Sequence, residues 1–474
     1  MAKKRNKRVI IDDLLITQIA SEGRGMGHHE GKVIFVDYAV PGDIVQVQTT
    51  INKKDYAIAS ILKIIQPAAY RQQSICEHFG VCGGCRWLHV PYDKQLEFKQ
   101  ELVEEIFKRI GKLTYPKINA ILGAPDVYHY RNKTEYSFTQ KGWLTQDQIE
   151  SEENIDRRAL GYHVPGRFDG IVHINHCYLQ DSLGDSIRLF IYQYAVQHQL
   201  TFYDLRNHVG FLRTLILRNN LAGEWMVTLS FAEDHPEDIR NLLSAIKNNF
   251  NQITSLNFVI NNKKNDTLYG LEVQNFDGNP FLIEQLGDLK FKIGPKSFFQ
   301  TNSKQGKNLY DVVARMTQIQ HSDTIYDLYT GTGSIALYVA QSAHQVIGIE
   351  TVEEAISDAR FNMELNGIQN TQFISASVEK ILDQDFITLH GKPDIVISDP
   401  PRMGMHQDVV DILLQTAPRQ IIYVSCNPAT QARDLSLLAE KYEIIEIQPV
   451  DMFPNTYHIE NVVNLQLKSH SNPL

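Results

Sequence analysis

Hydrophobic and polar positions change rhythm along the chain. From Val9 to Ile65 they alternate in short runs broken by Gly and Pro, as in Lys32-Val33-Ile34-Phe35-Val36 and Asp43-Ile44-Val45-Gln46-Val47, with Pro41-Gly42 between them. Period-two runs with close turns predict short strands and a small β-barrel. From Tyr92 to Ile110 the rhythm is helical: Leu96, Val103, Ile106, Phe107 and Ile110 share one face, and Gly111 is the expected stop. Strands resume near Tyr130, and the polar stretch Thr145 to Arg158 reads as an exposed loop. Short strands follow around Pro165-Gly166. Phe211 to Arg218 and Glu224 to Ser230 flank Asn219 to Gly223 as a hairpin, with a helix near Pro236 to Asn248 and a strand near Ser255 to Ile260. This middle part is mixed α+β.

After a helix from about Lys304 to Met316, strands and helices alternate to the end. The strands are read at Thr324–Leu328, Gln345–Glu350, Gln372–Ile374, Asp394–Ser398, Ile421–Val424, Tyr442–Ile445 and Val462–Leu465. Such alternation predicts a doubly wound, mostly parallel α/β sheet. The expected units are a barrel over residues 1–66, an α+β unit over 67–295 whose helix 92–111 packs on the catalytic domain, and an α/β unit over 296–474.

A length of 474 residues fits this multidomain reading, and 43% apolar with 21% charged residues is ordinary for a globular protein. No apolar run is long enough for a membrane span, and Asp12-Asp13 cuts short the only apolar stretch near the basic start, so a cytoplasmic location is expected. The net charge of −9 argues against a protein coated in positive charge and leaves room for a local basic groove. Lys3, Lys4, Arg5, Lys7 and Arg8 form the densest basic run, most simply a solvated tail.

The five cysteines divide unequally. Cys76, Cys82 and Cys85 cluster around Gly83-Gly84, Cys177 is the natural fourth, and Cys426 stands apart. Four thiols able to converge suit an iron–sulfur cluster or a structural zinc; ligand type alone leaves both open. Cys426 ends the apolar run Ile421-Ile422-Tyr423-Val424 in the turn Ser425-Cys426-Asn427-Pro428. A cysteine among Ile and Val is commonly a small buried hydrophobe. The polar turn and its place past a strand end, where open α/β sheets bind ligands, point instead to a reactive thiol.

Two further strand ends carry chemistry. Asp327 to Gly333 is a glycine-rich turn between a strand and a helix, and Glu350 closes the next strand, where a carboxylate can take ribose hydroxyls. Gly331 lets a nucleoside lie against the backbone; Ala336 stands where a dinucleotide site has its third glycine, which disfavours NAD. Asp399 projects from a loop stiffened by Pro400-Pro401. His129 to Lys133 mixes basic and aromatic residues, a composition suited to RNA.

The first stretch resembles a TRAM domain, an OB-like barrel found on RNA-modifying enzymes. The four clustered cysteines, Phe298-Phe299-Gln300, Asp327 to Gly333, Asp399-Pro400-Pro401-Arg402, Ser425-Cys426-Asn427-Pro428 and Phe453 to Glu460 together resemble, in order and over essentially the whole chain, the bacterial 23S rRNA (uracil-5-)-methyltransferases. The resemblance implies a Rossmann-like S-adenosylmethionine (SAM) domain, a 4Fe–4S cluster on Cys76, Cys82, Cys85 and Cys177, and 23S rRNA as partner; related tRNA enzymes typically lack the TRAM domain and the cluster. It assigns Cys426 as nucleophile and Glu460 as base. Gln300, Tyr329, Glu350 and Asp399 would bind SAM, Phe298 would stack on the target base, and Arg131 and Lys133 would contact RNA. Tyr329-Thr330 departs from the Phe-Cys often found there but keeps an aromatic. A monomer without an obligate protein partner or membrane is expected. The competing readings are a tRNA uridine methyltransferase, a SAM-dependent N-methyltransferase, which needs no Cys426, and a non-catalytic RNA-binding or redox-sensing module.

Overall fold

The computed structural model describes residues 8–111, 113–151 and 155–469. Lys3, Lys4, Arg5 and Lys7 of the basic run lie outside the described residues. Strands Ile10–Ile19, Gly25–His29, Lys32–Val36, Ile44–Asn52 and Tyr56–Gln66 close into a barrel. Val45, Val47, Ala57 and Ala59 alternate into its core. Gly25 sits where the chain crosses itself: a Cβ there would lie 2.6 Å from the Ala39 carbonyl.

The middle unit is one seven-stranded sheet assembled from distant segments. Its order is Gln274–Gly278, Ile253–Ile260, Trp225–Phe231, Leu212–Asn219, Lys133–Thr139, Ala159–His163 and Ile171–His173. The hairpin pairs as its turn chemistry requires, with Thr228 opposite Ile216. Helix Pro236–Asn249 returns the chain so that Ile253–Ile260 runs parallel to Trp225–Phe231, and it shares a core with helix Ser182–Gln197 through Leu242, Ile246, Ile187 and Ile191. Inside the exposed stretch read as loop, Gln146–Glu150 forms one short helix.

Helix Tyr92–Ile106 ends in a π turn, Phe107–Gly111. Val103 and Phe107 are buried in one cluster with Tyr326, Leu328, Tyr423 and Ile447 of the C-terminal sheet. On the same helix the fully buried Lys99 ammonium lies 2.6 Å from the equally buried Asp451 carboxylate. Desolvating both charges is costly, and each is tolerable only because the other is there.

The C-terminal sheet has the order Thr371–Ser375, Gln345–Glu350, Thr324–Leu328, Ile395–Ser398, Gln420–Ser425, Glu460–Leu467, Tyr442–Val450. The first five strands are parallel, and the final strand inserts antiparallel between its two neighbours. Strand order reverses on either side of Thr324–Leu328, so the loops leaving Leu328, Ser398 and Ser425 open at one edge. Because the last strand runs the other way, its start reaches that same edge: Ser425 pairs with Asn461, which sets Glu460 beside Cys426.

Candidate active site

The glycine turn is held in a shape that ordinary residues resist. Tyr329, Gly331 and Gly333 have φ of 64°, 57° and 77°. At Gly333 a Cβ would approach the Phe373 ring to 2.7 Å, whereas a Cβ on Gly331 would meet nothing within 4 Å, which leaves space on that side for a ligand. Glu350 is locked onto backbone: one carboxylate oxygen accepts the Gly331 N–H at 3.2 Å, and the other accepts Thr351 and Val352 N–H at 2.7 and 3.0 Å. Behind the turn, buried Asp327 accepts from the Thr330 hydroxyl at 2.5 Å and the Ala336 amide at 3.1 Å. Burial lifts its carboxyl to about 7.

Facing the turn, Gln300 is buried and Phe299 packs inward, while Phe298 is 70% exposed at the cleft. Asn132 fixes this segment, donating its side-chain amide to the Gln300 carbonyl at 3.1 Å.

Cys426 occupies a braced elbow. Asn427 caps helix Pro428–Leu438 by accepting from Ala429 N–H and donates to the Arg402 carbonyl at 3.1 Å, which the Thr430 hydroxyl also reaches at 3.2 Å. The thiol is half-buried. Burial first, then the charges of Glu460 and Asp399, push it up to about 11, against the pull of Arg402. Asp399 is lifted to about 7 by burial. Glu460 is held well above the carboxylate range by burial and by Asp399, with Arg402 opposing. At 7% exposure Glu460 is no surface carboxylate, the plain alternative for a residue at a strand start. Two further residues of these motifs, Arg402 and His458, belong to the site. Arg402 is the cation felt by Cys426 and Glu460, and His458 is pushed down to about 4 by burial and then by Arg402. The only signal for Arg402 was its place after the double proline.

Cys76, Cys82, Cys85 and Cys177 line the same cleft as Cys426, a cavity of about 2760 Å³. The Gly84 amide points at the Cys82 sulfur, 3.4 Å away, and Cys177 N–H is held by Asp185 at 3.1 Å. Burial pushes Cys82 up to about 12 and Cys85 well above its usual range, and the thiols reinforce one another. Among the described residues no three His, Cys, Asp or Glu side chains are arranged around a single metal ion. Arg131 lines the cleft. Lys133 also lines it, but its ammonium is paired with Glu135 at 2.6 Å.

A small closed barrel, a glycine-rich turn open at Gly331 and a thiol beside a buried carboxyl suit an RNA-modifying methyltransferase. Comparison makes the class specific. A family model described as tRNA (Uracil-5-)-methyltransferase matches residues 197–468, and one described as TRAM domain matches residues 8–62. An uncharacterized RNA methyltransferase of Bacteroides thetaiotaomicron is 47% identical, with 95% of this chain and 100% of that one covered. Another from Porphyromonas gingivalis is 46% identical, covering 95% and 98%. The solved Pyrococcus abyssi tRNA (uracil-54, C5)-methyltransferase, in complex with S-adenosyl-L-homocysteine, superposes with a TM-score of 0.75 at 29% identity, over 95% of this chain and 99% of that one. The chain belongs to the tRNA (uracil-5-)-methyltransferase family and is a SAM-dependent RNA (uracil-5-)-methyltransferase. No helix among the described residues is long and apolar enough to cross a membrane.

Proposed function

We propose that the protein methylates C5 of specific uridines in 23S rRNA, with Cys426 as nucleophile and Glu460 as base. The observation that carries this reading is the meeting at one sheet edge of a half-buried thiol, a buried carboxyl and a nucleoside-binding turn.

Uracil C5 is a weak nucleophile. The Cys426 thiolate adds to C6, forming a C–S bond and shifting the C5–C6 π pair into an enolate. C5 then forms the new bond to the methyl carbon. Bound SAM would supply that methyl group: its S–methyl bond breaks with the electron pair left on sulfur, so the sulfonium leaves as the neutral thioether S-adenosylhomocysteine. Glu460 removes the C5 proton; that electron pair re-forms the double bond, and the C6–S bond breaks to release the thiolate. Arg402 favours the charged forms of Cys426 and Glu460. Positive charge beside Asp399 and Glu460 draws both carboxyls down from their raised values, which readies Glu460 to accept a proton.

The residues fit SAM: open space before Gly331, Glu350 aimed at the turn for a ribose diol, and Asp399 for a cation. Gln300 and Tyr329 complete the proposed cofactor site, Phe298 the base platform, and Arg131 and Lys133 the proposed RNA contacts. Four half-buried thiols lining one cleft, one facing a glycine amide, fit a 4Fe–4S cluster held by Cys76, Cys82, Cys85 and Cys177. Its proposed role is to staple this loop. Phe79, between the cysteines, packs edge-on against Tyr38 of the barrel at 5.3 Å, and the Gly83 amide donates to His163 of the middle sheet at 3.1 Å. Iron and sulfide in anaerobically purified protein, lost in Cys85→Ser while SAM still binds, would support this; a cluster-free protein with unchanged fold, RNA affinity and activity would refute the stapling role.

One observation favours tRNA as a second reading: the Pyrococcus abyssi tRNA enzyme aligns over nearly the entire chain, so overall architecture does not separate the two substrates. Incubating the protein with methyl-labelled SAM and either 23S rRNA or tRNA transcripts separates them. Label in 5-methyluridine of 23S rRNA supports the first reading, and label confined to tRNA replaces it with the second.

A further inference from the structure

The cleft is several times larger than the roughly 300–1,000 Å³ of a small-molecule site, at about 2760 Å³. SAM and one extruded uridine leave much of it unfilled. Its rim carries two exposed aromatic side chains beyond the motif residues, Phe168 at 69% exposure and Tyr269 at 72%. Singly exposed rings are ordinary on a surface, but at a cleft lined by cations they present faces on which bases can stack.

Both aromatics sit on loops whose backbone is fixed. Phe168 tips a turn closed by Val164 N–H donating to the Gly170 carbonyl at 2.8 Å, with Arg206 beside the ring at 5.9 Å. Tyr269 lies in the irregular segment 261–273, organised by one buried cation. Arg213 donates to the carbonyls of Asn261, Lys263 and Asn265 at 2.6, 2.5 and 3.0 Å, and to the Asp266 carboxylate at 2.6 Å. The core does not need either ring. Arg131, Arg167 and Lys296 line the same cleft, and among the described residues none of them pairs with a carboxylate. Arg131 Nε is held by the Lys133 carbonyl at 2.9 Å and Arg167 lies over the Trp143 ring at 5.5 Å, so their charge is positioned but not neutralised. Such cations with exposed rings suit a strand offering phosphates and unstacked bases, a combination that a double helix does not present.

We propose that Phe168 and Tyr269 are stacking platforms for unpaired nucleotides flanking the target uridine, so that the substrate enters as a looped or single strand. This rests on the RNA-methylation reading above. The test is fluorescence anisotropy with labelled single-stranded oligouridylate, alone or annealed to oligoadenylate, with S-adenosylhomocysteine present. Each of Phe168→Ala and Tyr269→Ala is expected to weaken single-strand binding about tenfold. Phe168→Trp and Tyr269→Trp should retain it, and the annealed duplex should bind poorly to all. S-adenosylhomocysteine affinity should stay unchanged, which reports an intact fold.

Alanine variants that bind the single strand like the unmodified protein would overturn the proposal, as would an unmodified protein that prefers the duplex or binds neither RNA. A protein-docking role for the two loops would give that first result. Methyl transfer by the unmodified protein, assayed in parallel on cellular RNA, separates the two claims. If RNA is methylated and the alanine variants keep their affinity, only the platforms fail. If strand binding falls as expected but no RNA is methylated, the reaction reading fails instead.

Discussion

Asp399 is buried at the end of strand Ile395–Ser398, and burial lifts its carboxyl to about 7. A cationic ligand binds the deprotonated form of a neighbouring carboxyl better, so SAM affinity should rise with pH through neutrality. With a pKa near 7, about a tenth of the carboxyl is ionised at pH 6 and about nine tenths at pH 8, and SAM should bind about tenfold tighter at the higher pH. Stability moves the other way. A carboxyl raised on folding contributes stability that is complete below its unfolded pKa, near 4, and is lost as pH rises through about 7. The empty protein should therefore weaken over the interval in which the cofactor binds better, and the shift in melting temperature caused by SAM should widen. Calorimetric titration with SAM at several pH values measures the first effect. S-adenosylhomocysteine, whose sulfur is neutral, is the control and should show a much smaller dependence. Asp399→Asn should flatten the SAM profile near its low-pH value. Equal pH dependence for the two ligands would refute the argument, and a dependence that survives Asp399→Asn would assign it to another raised carboxyl, Glu460 in the cleft or Asp327 behind the turn.

Lys99→Ala leaves the Asp451 carboxylate buried without its cation. It should cost about 3–5 kcal/mol in denaturant unfolding; a loss under about 1 kcal/mol would mean water reaches the site. Gly333→Ala must place a Cβ 2.7 Å from the Phe373 ring at a φ of 77°. SAM binding measured by calorimetry should weaken at least about tenfold, and unchanged affinity would show that the turn tolerates a side chain. Glu460→Gln removes the base after the covalent step, so a denaturation-resistant protein–RNA adduct should accumulate on a gel, and rapid turnover without adduct would reassign the base.

Local periodicity made the two outer units legible because their strands pair with near neighbours or alternate with helices. The barrel runs match Val45, Val47, Ala57 and Ala59 facing inward. Cys426 was readable from an apolar run ending in a polar turn. The middle sheet was not: Lys133–Thr139 pairs with Leu212–Asn219 some eighty positions on, a register no local pattern encodes. The same limit hid the partner of Lys99, which sat unremarked in an amphipathic helix until Asp451 met it across 352 positions. Glu460 was placed by resemblance alone. Its burial follows from the antiparallel insertion of the last strand, which no window around that residue reveals. Lys133 is expected to contact RNA; its ammonium pairs with Glu135, two residues on along one strand face, a partner that spacing along a strand allows.

The central claim is that Cys426 bonds to uracil C6 during methyl transfer. Its most direct test is mass spectrometry of nucleosides from 23S rRNA and tRNA incubated with SAM and either the unmodified protein or Cys426→Ala. The account predicts 5-methyluridine with the unmodified protein only, while Cys426→Ala still binds SAM with ordinary affinity. Undiminished 5-methyluridine from Cys426→Ala, or methylated adenosine from the unmodified protein, would contradict it.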